Sequence, residues 1–310
     1  MKHFLSTRLL SMFLMLLATA STMIAVTACA SEAGKTDKIG VVVSILPQAE
    51  FVERVGGDRV DVTVMVPPGA DPHTYEVRPA QMTRLAQAKM YAKVGSPVEF
   101  ELAWMDKLIA QNKEMLVVDC SKGVQLMEIT GHAHEHEHEA ESQHENEHEG
   151  LDPHIWLSLA NARIMVQNIY EGLAQVDPAH RDYYQQNRDA YIQELAELDN
   201  AIRQSLAEVT NRKFIVYHPF LGYFARDYNL QQIAIEQEGK EPTAAYLARL
   251  ITEAKEQGIK AVFISPQFST KSAELIAKEI GGQVVTLDPL AKDYSANMKR
   301  IETTLREALR

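Results

Sequence analysis

Asp177-Pro178 opens the stretch that most constrains this chain, a run with no glycine and no further proline up to Thr210. An acidic residue ahead of a proline is a helix-start signal: the carboxylate caps free N–H groups and proline fits the first helical position. Tyr184, Tyr191, Leu195, Leu198, Ile202, Leu206 and Val209 then recur at helical spacing, one apolar stripe along an otherwise polar surface. A helix over residues 178–210, about 32 residues, spans about 48 Å at about 1.5 Å per residue. Such an element can lie along two lobes and join them more stiffly than two or three loop crossings.

Both flanks read as α/β. Apolar runs at residues 39–43, 60–66, 90–94 and 116–119 predict strands, with helices over 79–88 and 97–110. The first run, Ile-Gly-Val-Val-Val, is continuous, as in a strand buried on both faces. Beyond the connector, strands are expected at 214–217, 261–264 and 284–287, and helices at 246–256, 270–280 and 294–308. Strands alternating with helices imply mostly parallel, doubly wound sheets. The expected organisation is an N-terminal lobe over 38–177, the linking helix over 178–210, and a C-terminal lobe over 211–310.

Residues 1–28 read as an export signal, with Lys2 and Arg8 ahead of a short apolar core and small residues leading to Val26-Thr27-Ala28-Cys29. That last segment resembles a lipobox. Cleavage before Cys29 and lipidation of its sulfur would leave residues 29–37 as a tether, with membrane attachment through lipid only. An ordinary signal peptide, cut after a small residue, would instead release the chain into the periplasm. Cys120 is the only other cysteine and follows an apolar run, so it reads as a small buried hydrophobe.

Without Lys2 and Arg8, the 31 Lys and Arg become 29 against 42 Asp and Glu, a formal charge of −13. Seven of those glutamates lie in a His/Glu-rich tract over residues 131–150 that has no Lys or Arg, leaving −6 elsewhere. This balance argues against nucleic acid as a partner and suits a cation. The tract is of low complexity and cannot build a core.

Two Asp-Pro-His tripeptides, Asp71-Pro72-His73 and Asp152-Pro153-His154, carry the chemistry. Imidazole is the commonest protein ligand for transition metals, and proline stiffens the turn that presents it. His73 lies just past a strand end, and His154 lies where the chain enters a helix. His218 and Asp288 each follow an expected strand and precede a proline. Open α/β sheets bind ligands at the carboxyl ends of their strands. Three imidazoles plus a carboxylate or water satisfy four-coordinate Zn²⁺.

These segments also carry a resemblance. Gly-Ala-Asp-Pro-His-Thr-Tyr-Glu at 69–76, Asp-Pro-His-Ile-Trp-Leu-Ser at 152–158 and Tyr-His-Pro-Phe-Leu-Gly-Tyr-Phe at 217–224 are its core. Glu-Pro-Thr at 241–243, Pro-Gln-Phe-Ser at 266–269 and Leu-Asp-Pro-Leu at 287–290 complete it. Together they resemble the metal-binding lipoprotein (solute-binding) subunits of zinc and manganese ABC importers, the cluster A-I or cluster 9 family, over residues 39–310. The resemblance implies two Rossmann-like lobes joined by one long backbone helix, with the metal in the inter-lobe cleft. It implies His73 and His154 as ligands from the first lobe and His218 from the second, with Asp288 a fourth ligand or a group close behind.

The resemblance is to the zinc type. Manganese members tend to carry a carboxylate where His218 stands, and nitrogen in place of oxygen favours zinc over the harder Mn²⁺. Zinc importers also often carry a His-rich loop, here with His132, His134, His136, His138, His144 and His148 as auxiliary low-affinity sites that raise local zinc near the cage. Two departures stand out: Ser265 occupies a position where the family often has glutamate, and the second-lobe cysteine pair of some zinc members is absent. Neither removes a ligand. Glu76, Glu99 and Trp104 are expected to pack or to stand behind the ligands, His180 to be structural, and His3 to leave with the signal.

The function so implied is a monomeric extracytoplasmic receptor, not an enzyme and without catalytic residues. It would deliver Zn²⁺, as cargo, to a membrane permease driven by a cytoplasmic ATPase. A manganese receptor of the same family is the nearest alternative. A zinc hydrolase and a surface adhesin are more distant ones, and outside the low-complexity His/Glu tract no His-Glu-x-x-His stretch supports the hydrolase.

Overall fold

The computed structural model describes residues 38–129, 150–236, 240–268 and 270–310. The export signal, Cys29, the tether and the six tract histidines, His132 to His148, lie outside the described residues. The first lobe contains strands β1 (Ile39–Val43), β2 (Val60–Val64), β3 (Met90–Lys93) and β4 (Leu116–Asp119). Its helices are α1 (Leu46–Gly56), α2 (Pro79–Gln87), α3 (Glu99–Gln111) and α4 (Leu159–Val176). The long helix α5 (Arg181–Ala207) follows. The second lobe holds β5 (Lys213–Val216), β6 (Gln231–Ala234), β7 (Ala261–Ile264) and β8 (Gln283–Thr286). Helices α6 (Gly222–Asp227), α7 (Ala244–Glu256), α8 (Lys271–Glu279) and α9 (Tyr294–Ala308) complete it.

Among the described residues every strand pairing within the two sheets is parallel, and the sheets share one winding, β2-β1-β3-β4 and β6-β5-β7-β8. Val41 pairs with Val62 on one side and Met90 on the other, so the apolar run of β1 is central and buried, as its composition demands. In each sheet the strand order reverses beside the first strand, which opens a crevice at the carboxyl ends. Helix α4 lies tight on β3 and β4, where a methyl group added at Gly172 would collide with Val118 and Met90.

The connector is α-helical over 27 residues, a rod of about 40 Å rather than the longer one expected. Residues Pro178–His180 form a 3₁₀ turn instead, because the Asp177 carboxylate accepts from His180 Nδ1 (2.8 Å) and Tyr184 OH (2.7 Å) rather than from backbone N–H groups. At the far end Arg212 donates to the carbonyls of Leu206 and Ala207, both at 2.9 Å, and closes the last turn.

The stripe from Tyr184 to Leu206 is buried, and α5 packs on α1 and α4 of the first lobe and on α9 of the second. Phe51 of α1 meets Tyr294 of α9 edge-on at 4.7 Å, and Tyr191 donates to Glu50 at 2.9 Å. Trp156 Nε1 donates to the carbonyl of Pro289 (2.8 Å), and Tyr294 OH donates to the carbonyl of Trp156 (2.7 Å). One apolar core therefore runs through both lobes, with a smaller one under α7 and α8.

Leu195 is fully buried on α5. Leu195→Ala should cost about 2–5 kcal/mol of unfolding free energy in urea titration, whereas Gln186→Ala on the exposed face should stay within about 0.5 kcal/mol. Equal effects would mean that the stripe does not carry the inter-lobe packing.

Candidate metal centre

The Asp-Pro-His repeat is a local device. In the first copy Asp71 Oδ1 accepts from the backbone N–H of His73 at 3.0 Å. In the second, Asp152 Oδ1 accepts from the N–H of His154 at 2.9 Å. Each is a turn closed by the aspartate side chain, with the intervening proline pre-setting the backbone and the histidine placed at a fixed angle. Asp288-Pro289-Leu290 repeats it, with Asp288 Oδ1 accepting from Leu290 N at 2.9 Å.

His73 and His154 enter the cleft from the first lobe, and His218, two residues past β5, enters from the second. The His218 ring lies 5.1 Å from that of His73 and 5.2 Å from that of His154, centroid to centroid. The three line a cavity of about 30 Å³ with Asp71, Glu99, Trp156, Ser265, Phe268, Pro289 and Leu290. Asp288 is not in that wall. Its carboxylate closes the turn that puts Pro289 and Leu290 there, and its carbonyl accepts from Asn297 Nδ2 at 2.7 Å. As the side chains stand, no group of three or more His, Cys, Asp or Glu among the described residues has its donor atoms placed to hold a metal ion.

Each imidazole has a carboxylate at Nδ1. His73 pairs with Glu99 at 2.9 Å, His154 with Asp152 at 2.8 Å, and His218 with Glu236 at 2.6 Å. A carboxylate there fixes the tautomer with the proton on Nδ1 and leaves the Nε2 lone pair for a metal. The His218 Nε2 atom is buried and has no hydrogen-bond partner among the described residues. Glu99 stands behind a histidine, as the sequence suggests. Glu236 is not expected from the sequence, because it follows β6, a strand that begins Gln231-Gln232 and has no apolar run to mark it.

Burial alone would lower the pKa of His73, but its hydrogen bond to Glu99 and the charges of Glu99, Asp71 and Glu236 outweigh this and raise it. Burial also dominates at His218, and with the neighbouring His154 and His73 it holds the pKa below its ordinary value despite Glu236. Burial would raise Glu99, yet the His73 hydrogen bond and charge bring it below the usual carboxylate range. The wall around the rings is apolar: Phe268 stacks on His218 at 4.7 Å and 21°, and Trp156 lies 5.3 Å from His154. Three carboxylates behind three imidazoles, with Asp71 in the wall of a narrow cavity, make a potential suited to a cation.

The model of the family described as "ZnuA: Zinc-uptake complex component A periplasmic" matches residues 41–308. The chain belongs to that family. The high-affinity zinc uptake system protein ZnuA of Bacillus subtilis (strain 168) is 34% identical over 258 residues, covering 83% of this chain and 80% of that protein. A crystal structure of ZnuA superposes with a TM-score of 0.80 at 43% identity, covering 88% of this chain and all of that one. A zinc-bound deletion mutant of ZnuA gives a TM-score of 0.79 at 43% identity, covering 88% and 98% of the two chains.

The tract over residues 130–149 leaves the described structure at a pinned base. Glu128 bridges Leu151 in antiparallel fashion, Ile129 N donates to Gly150 O (2.8 Å), and Asp152 N donates to Met127 O (2.8 Å). The last of these residues is the partner of His154. Elsewhere Cys120 is buried, and burial pushes its thiol well up, so it packs as a small apolar side chain.

Because Glu99 is what lifts His73, Glu99→Gln should lower the pKa of that ring in NMR titration of metal-free protein. An unchanged or higher value would break the pairing.

Proposed function

We propose that this chain is an extracytoplasmic zinc receptor that passes Zn²⁺ to the permease of an ABC importer powered by a cytoplasmic ATPase. The observation that carries this reading is the trio of rings with their Nδ1 atoms tied back. Imidazoles sharing one tetrahedral ion through nitrogens at about 2 Å have ring centroids about 5 Å apart, which is the separation of the two pairs above. His73, His154 and His218 are the ligands, and Asp288 acts from behind through its turn. Zinc uptake by the family, and zinc bound to a relative, support the same reading. All-nitrogen protein ligation favours zinc over manganese.

A hydrolase would need a substrate beside the ion, and a cavity of about 30 Å³ has room for little more than a water or two. Lipid on Cys29 would hold the receptor, as a monomer, at the membrane surface. The histidines of the tract collect zinc weakly close to the cleft, because the base of the tract runs straight into Asp152-Pro153-His154.

Saturating zinc, about a thousand times its dissociation constant, should stabilise the fold by about 4 kcal/mol and raise the melting temperature of chelator-treated protein. His73→Ala, His154→Ala and His218→Ala should each abolish most of that gain. A variant lacking residues 132–149 should keep it, and loss of the tight site in that variant would refute the division between cage and tract. Zn²⁺ and protons compete for the same nitrogens, so affinity should fall as pH drops through about 6.5. With the pKa of His73 raised, the fall should begin above that value. Competitive titration in which Mn²⁺ displaces Zn²⁺ at equal concentration would contradict the zinc assignment.

A further inference from the structure

We propose that Ser265 sets the fourth position of the metal site: its hydroxyl holds a water on the ion and so tunes the site to Zn²⁺ over Mn²⁺. The proposal rests on the three-histidine reading above. Ser265 directly follows β7, the strand beside β5, and these two strands flank the reversal of order in the second sheet. It therefore sits next to His218 at the place where such sheets bind ligands. The residue is 1% exposed, and its Oγ is buried with no hydrogen-bond partner among the described residues, yet it lines the same cavity as the three histidines.

Other buried serines here are satisfied. Ser44 Oγ donates to Glu101, Ser158 Oγ to Asp227, and Ser96 Oγ to the carbonyl of Pro153. A hydroxyl left alone in an apolar wall is destabilising, and it can rotate to meet whatever donor or acceptor arrives. The turn at Ser265 keeps it beside the site, because its carbonyl accepts from Phe268 N at 3.2 Å while the Phe268 ring covers His218.

Three imidazoles leave one tetrahedral position open. The two carboxylates in the cavity wall, Asp71 and Glu99, are engaged with the backbone and the ring of His73. Of the remaining wall oxygens, Gln267 is only half-buried, whereas the Ser265 Oγ is buried and without a partner among the described residues, so Ser265 is the one placed to accept a hydrogen from a water on the ion. A neutral oxygen there, in place of a carboxylate, suits zinc and is a poor match for manganese.

Ser265→Ala removes only the hydroxyl. It should keep one tight site, lower zinc affinity about tenfold, and change the visible absorption of the Co²⁺-loaded protein while the metal-free melting temperature does not fall. Ser265→Asp, which offers a carboxylate oxygen at the same place, should raise Mn²⁺ affinity relative to Zn²⁺ about tenfold. Wild-type zinc affinity together with an unaltered cobalt spectrum in Ser265→Ala would overturn the proposal, and if Ser265→Asp does not fold, that comparison alone decides. Failure of the underlying reading looks different: His154→Ala would then hold zinc as tightly as wild type, whatever the Ser265 variants do.

Discussion

A carboxylate on the Nδ1 atom of each imidazole is the interaction on which this site depends. Asp152 and Glu236 are buried acidic groups, and a buried charge is costly unless it is paired and hydrogen-bonded. Each pairs with a histidine, and that pairing turns the other nitrogen towards the cavity. The His154 pair is local, with Asp152 two residues upstream and its Oδ1 holding both the backbone and the ring. The His218 pair is tertiary and joins residues that follow two neighbouring strands, β5 and β6. A cation bound at the three Nε2 atoms would strengthen all three pairs at once, because it would make each Nδ1–H a better donor, so that metal binding and the buried acids would stabilise each other.

The scaffold holds these rings in register by coupling the lobes. Helix α5 runs beside both, the Phe51–Tyr294 contact closes one junction, and Trp156 donates to the Pro289 carbonyl and accepts from Tyr294 OH across the cleft just behind the site. Trp156 lies two residues after His154, and Pro289 is itself part of the cavity wall. A wide hinge opening would break these bonds and expose the shared core. Small tilts and side-chain rotations are the motions this packing allows.

Much of the architecture is legible in the residues because it depends on local patterning. The stripe from Tyr184 to Leu206 marks a long helix, and the valine run of β1 marks a central strand. The Asp-Pro-His tripeptides show where histidines are presented, since a turn closed by its own aspartate needs no distant partner. Other features depend on tertiary structure. β6 is a four-residue edge strand with glutamines at its start, so neither it nor Glu236 beyond it stands out. Asp288 has the sequence context of a ligand, and its Oδ1 closes the same kind of turn that presents His73 and His154, here placing Leu290. The ends of α5 are set by Asp177 and Arg212, whose partners become apparent only in the folded chain.

The central claim is that imidazoles from both lobes share one ion. X-ray absorption at the zinc edge, on tract-deleted protein loaded with one equivalent, counts them directly. Three imidazole nitrogens and one oxygen are expected at about 2.0 Å, with the outer-ring scattering that imidazoles produce. A spectrum fitted by fewer than three imidazoles, or by a sulfur near 2.3 Å, would contradict it.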